Sequence, residues 1–170
     1  MKKLVVTVFA VIGLISCSQE KTAYIDLPTL LEDYQGRKDI ETKYKDKMEK
    51  FGMRRDSIGK SLDAEGQDFQ TKANSMSQSK QQEEYQKLMQ KAQRLQQVLQ
   101  QEEYKISQEG QVEIDTLISE VKDFVKVYGA DNNYTYIFGA NESGSVMYGA
   151  DDKNITEDVL KALNDKYARE

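Results

Sequence analysis

The sequence predicts an α+β chain in which a long antiparallel α-helical coiled-coil arm is inserted into a small body of short strands and a terminal helix. Three observations carry this. After Pro28, the only proline, the chain runs to about Val127 with sparse glycine and dense charge, which favours helix over loop. Within that stretch apolar residues recur at steps of three, four and seven, the spacing of a seam between helices. Both flanks carry short β-branched and aromatic runs bounded by Gly, Asn and Asp.

Met1, Lys2 and Lys3 precede an apolar run from Leu4 to Ile15, the format of a cleaved secretory signal and too short to span a bilayer. Residues 1–16 are therefore expected to be removed. The single cysteine stands where that run ends, in Leu14-Ile15-Ser16-Cys17, which is similar to the lipobox of bacterial lipoproteins. That likeness implies lipidation of Cys17, and more than one acyl chain is needed for lasting attachment. The bland alternative is an ordinary signal with a stray thiol. Residues 17–21 then form a lipidated tether.

Without residues 1–16 two lysines are lost, and the charge is 22 minus 29, or −7. No basic tract offers itself to a phosphate backbone, which speaks against nucleic acid as a partner. With no histidine and one cysteine, neither an internal disulfide nor a transition-metal site is expected. No Gly-rich phosphate loop or nucleophile elbow occurs, so neither a cofactor nor catalysis is expected. The apolar fraction of 38% lies below the roughly 45–50% of compact domains. Narrow-seamed amphipathic helices can use such a composition.

Thr22 to Ile25 reads as a strand, and Asp26 as the N-cap of a helix that tolerates Pro28 in its first turn. The helical region is expected to run unbroken from Leu27. Its outbound seam is Ile40, Tyr44, Phe51, Ile58, Leu62, Phe69, Ala73 and Met76; its return seam runs from Tyr85 and Leu88 through Leu95, Ile106 and Leu117 to Tyr128. Turn-forming residues cluster only at positions 74–79, where the reversal is placed. The arm then spans 35–125, and the body comprises 22–34 and 126–170. One continuous helix in a fibre is the alternative. Interior glycines, and the acids Glu102 and Glu113 at seam-like positions, predict arms that bend readily.

Beyond the arm, Gly129 is expected to cap the helix and Asp131-Asn132-Asn133 to turn the chain. Tyr134–Phe138 and Ser145–Tyr148 are expected as strands of a hairpin closed by Gly139–Gly144. Thr156 is expected to cap a last helix that carries Val159, Leu160, Leu163 and Tyr167 on one side, stapled by Ile155 and Leu160. So thin a core predicts self-association through the strands and arm bases.

Ala23-Tyr24-Ile25-Asp26-Leu27 at one end, with Tyr134–Phe138, Val146-Met147-Tyr148-Gly149 and Asn154–Leu160 at the other, resembles the termini of the Skp (OmpH) family of periplasmic chaperones. The likeness covers residues 22–168. It implies a homotrimer whose arms surround unfolded outer-membrane proteins and hold them without nucleotide. With the lipobox, it implies a periplasmic protein lipid-anchored to the bacterial envelope, with the outer membrane as the expected side. Two departures stand out: the best-known members are basic and freely soluble, whereas this chain is acidic and carries a lipidation motif.

For client contact the adaptable methionines are the first candidates. Met48 and Met89 read as seam filler, while Met53 and Met76, off the seam or at its end, are candidate client contacts. Arg54 and Arg55 are the basic counterpart on the distal arm. A lipid-anchored spacer or adaptor that reaches a fixed partner is the alternative function.

Overall fold

The computed structural model describes residues 20–141 and 143–169. Residues 1–16, Cys17 and the first part of the tether lie outside the described residues. The chain runs β1 (Thr22–Asp26), α1 (Leu27–Asp33), α2 (Gln35–Ala73), α3 (Gln78–Asp131), β2 (Tyr136–Ala140), a 3-10 turn (Asp151–Lys153) and α4 (Thr156–Tyr167).

β1 alternates, burying Ala23 and Ile25. Asp26 ends it, and its side chain accepts the Thr29 N–H at 3.0 Å, the expected cap with Pro28 in the first turn. β1 and β2 pair in parallel, from Thr22 opposite Tyr136 to Asp26 opposite Ala140. Parallel neighbours need a crossover connection rather than a tight turn, and here the whole arm serves as the crossover. The other edge of β1 takes Asn154 at an isolated bridge, and Tyr24 O accepts the Ile155 N–H at 3.0 Å. The expected hairpin is thus replaced: β2 begins at Tyr136 and residues 145–148 form no strand. The reason lies in burial. Pairing with β1 places β2 beside the core, whereas Met147 and Tyr148 stand 91% and 86% exposed, with no layer to cover them.

Two helix boundaries also depart from expectation. The first helix breaks at Tyr34, whose ψ of 124° leaves the helical region. Asn164 of α4 caps the restart by accepting the Gln35 N–H at 3.0 Å, and the Tyr34 ring meets Tyr167 edge-on at 5.7 Å. At the other end Gly129 is not a cap. α3 continues to Asp131, and Asn133, at φ 58°, supplies the left-handed turn that asparagine tolerates. Gly129 instead lets the Ile137 side chain approach, since a Cβ there would lie 3.1 Å from Ile137 Cδ1. Thr156 likewise does not cap its own helix. Its hydroxyl accepts the Asp26 N–H at 2.9 Å and donates to Asn154, tying α4 to the end of β1.

The core lies where these pieces meet. Leu30 from α1, Val121 from α3 and Val159 from α4 are fully buried, with Ala23, Ile25, Leu117, Ile155 and Leu163 around them. This small core holds one end of an arm made of two helices, α2 rising about 59 Å and α3 about 81 Å including its end in the body, at roughly 1.5 Å per residue.

Candidate functional site

The arm is the extended feature from which chemistry can be offered, and its geometry begins with the seam. Phe51 and Ala73 are buried between the helices, while Ile58, Leu62, Leu88, Leu95, Leu99 and Ile106 are half-buried along it. The return seam steps by three and four until Ile106, Gly110 and Ile114, which follow one another at steps of four. Such a stutter locally unwinds a coiled coil. Gly110 faces the Tyr44 ring there, and a Cβ would lie 3.1 Å from Tyr44 Cγ.

A seam this lean is supplemented by ion pairs. Lys43 meets Glu113 at 2.8 Å, Lys47 meets Glu109 at 3.0 Å, Arg54 meets Glu102, and Lys91 meets Glu65 at 2.5 Å. Each step along α2 is matched by an equal step back along α3: four residues from Lys43 to Lys47 and from Glu113 to Glu109, then seven, then eleven. The register is therefore constant along the arm. Polarity reverses distally, because Glu65 sits on α2 and Lys91 on α3. A register slip would bring like charges together, so the pairs specify alignment more than they stabilise. Glu109 and Glu113 are held below the usual carboxylate range, chiefly by hydrogen bonds from Lys47 and Lys43. The Tyr44 phenol is pushed up, first by its hydrogen bond to Glu113.

The four residues singled out from the sequence do not form one site. Met53 stands 60% exposed on the flank of α2. Met76 is half-buried at the tip, in a recess it shares with Phe69 and Leu88. Arg54 is engaged across the arm with Glu102, and Arg55 lies on the exposed side, 3.4 Å from its neighbour Asp56. Glu102, an apparent flaw in the seam, is thus the partner that Arg54 requires. Met48 and Met89 are not buried filler, being 36% and 51% exposed.

Tyr85, expected at the start of the return seam, and Met89, expected as seam filler, belong instead to an exposed apolar display that sequence reading otherwise missed. Tyr85, Met89, Val98, Tyr104 and Val112 of α3 are half or more exposed. Tyr85 and Met89 border a shallow groove of about 450 Å³ whose other walls are Gln86, Gln90, Ala92, Gln93 and Gln96. This surface carries no charge on an otherwise charged arm. For Met89, Val98, Tyr104 and Val112 the available signal was their place off the seam steps within a glutamine-rich helix.

Among the described residues no helix is long and apolar enough to cross a membrane. The fold is similar to the crystal structure of an OmpH-like candidate outer membrane chaperone from Caulobacter crescentus CB15. The TM-score is 0.76 at 14% identity, over 89% of this chain and 88% of that one. No curated protein sequence matches the chain. The family described as outer membrane protein (OmpH-like) matches residues 21–163. A match over most of the 170 residues, joined to a helical arm on a two-stranded body, places the chain in the OmpH-like family.

Proposed function

We propose that this chain is an ATP-independent periplasmic holdase chaperone that keeps unfolded outer-membrane proteins from aggregating between its arms. The observation that carries the reading is the spread of large apolar side chains along the arm, outside a seam already held by its own packing and ion pairs. Such side chains contribute little to the fold and leave adaptable surface for segments of varied sequence. Many weak contacts across several arms add up to strong retention with no deep pocket. A homotrimer joined through the body would set three arms around one cavity, and a lipid on Cys17 would confine it to one membrane.

The test is direct. The purified chain, added without ATP to a β-barrel protein diluted from denaturant, should suppress light scattering at a stoichiometry of one trimer per client. Unchanged aggregation would leave the arm as a spacer or adaptor, a role its paired length of about 59 Å also permits.

A further inference from the structure

Methionine is ordinarily among the most buried residue types, yet here it lies outside the core. Of the five described methionines, Met48, Met53, Met89 and Met147 are exposed large hydrophobics and Met76 is half-buried at the tip. The core cluster is built from Ala, Ile, Leu, Val and Tyr, with partly buried Phe beside it. The described residues also contain no histidine, cysteine or tryptophan to compete for an oxidant. Oxidising chemistry thus meets thioethers first, on the arm surface and away from the groups that hold the fold.

We infer that Met48, Met53 and Met89, spread along the arm, are sites of reversible oxidation, at which a peroxide-class oxidant converts the arm's apolar contact surface to polar sulfoxide and so lowers client retention without unfolding the arm. The inference rests on the chaperone reading above. In the step itself, a sulfur lone pair attacks one peroxide oxygen, the S–O bond forms as the O–O bond breaks, and sulfur gives up two electrons. The transferred hydroxyl loses its proton, and the departing hydroxide takes one up and leaves as water. A sulfoxide-reducing enzyme with a thiol reductant reverses the change. The usual structural damage of methionine oxidation, a polar group forced into a core, has no purchase at these three positions. Around Met89 the change is largest in character, because Tyr85 and neutral glutamines are its neighbours and no ion pair dominates the groove.

The full chain, treated with hydrogen peroxide, should gain oxygen at Met48, Met53, Met89 and Met147 before Met76, as read by peptide mass mapping. Its far-ultraviolet circular dichroism should stay unchanged. Retention of a denatured β-barrel protein should weaken by about three- to tenfold and return after treatment with methionine sulfoxide reductase. The triple variant Met48→Leu, Met53→Leu, Met89→Leu, compared with itself before and after peroxide, should lose none of whatever retention it starts with. Retention unaltered in fully oxidised chain, a loss that tracks loss of helix, or equal sensitivity of the leucine variant would each overturn the inference. If untreated chain holds no client, the chaperone reading falls before any peroxide is added; binding of an apolar dye to the arm, reduced by oxidation or not, then decides the surface change.

Discussion

At the residue scale the glycines divide by what surrounds them. A Cβ at Gly59 would meet nothing within 4 Å, whereas one at Gly149 would lie 2.6 Å from Tyr24 Cδ1. The backbone of Tyr24 is fixed by strand pairing to Phe138 and a bridge to Asn154, so a Cβ at Gly149 would have to be met by turning the ring out of its place. Gly59→Ala should therefore stabilise the chain by about 0.5–1 kcal/mol through helix propensity. Gly149→Ala should destabilise it by about 1–3 kcal/mol through overpacking. Urea midpoints of the two variants should move in opposite directions. Thr156 is a second case, since its hydroxyl both receives the Asp26 N–H and donates to Asn154. Thr156→Val leaves that part-buried donor unmet and should cost about 1–3 kcal/mol, whereas Thr156→Ser should keep most of the stability.

At the element scale the arm is held in register by charge as well as by its seam, which predicts a dependence on pH of known sign. Glu109 and Glu113 titrate below the ordinary value of 4.5 in the folded arm. A carboxylate with a depressed folded pKa adds stability above its unfolded pKa, and that stability is lost as pH falls through the folded value. Arm helicity, followed by circular dichroism, should thus melt at lower temperature once pH drops below about 4.5 and hold steady from there to neutrality. Register gives a sharper test. Glu65→Lys, which places two cations where Lys91 now meets its partner, should lower the melting temperature. Adding Lys91→Glu should recover most of the loss. Failure of the double variant to recover would mean that the seam alone sets the alignment.

At the scale of the whole molecule, the arm and body share few contacts beyond the arm base, since the core cluster ends at Ile40 on α2 and Leu117 on α3. Shortening the arm by joining Phe51 to Lys105 through a short loop, positions opposite each other in the ion-pair register, should leave the body folded and the proposed trimer intact by light scattering. A monomer, with the full chain trimeric, would place the association in the arms. Cys17→Ser should release the protein from membranes with helix content unchanged. Client retention offers the last comparison. If apolar contact dominates, it should vary little between about 0.05 and 0.5 M salt, over which the Debye length falls from roughly 14 to 4 Å. Met53→Ser should weaken it more than Arg55→Ser, whereas Arg54→Ser should also loosen the arm by freeing Glu102.

What the sequence alone determined is local. Period, the absence of proline beyond Pro28 and the Asp26 cap set the existence of the helices and β1, because a seam at steps of three and four and an aspartate before Pro28 act through neighbours in the chain. The turn-rich residues 74–77 between α2 and α3 were legible for the same reason. Tertiary structure decided whatever depended on a distant partner. β2 joined β1 rather than residues 145–148 because β1 bears the buried face; the helix broke at Tyr34 because Asn164 and Tyr167 meet it from α4; and α3 ran on past Gly129, whose bare Cα leaves room for Ile137, to turn at Asn133. The candidate surface divides likewise. Exposed Met53 lay in plain view as an off-seam residue, but the display on α3 and the engagement of Arg54 depend on which face of each helix its partner covers, and that follows from packing across the arm rather than from any spacing along it.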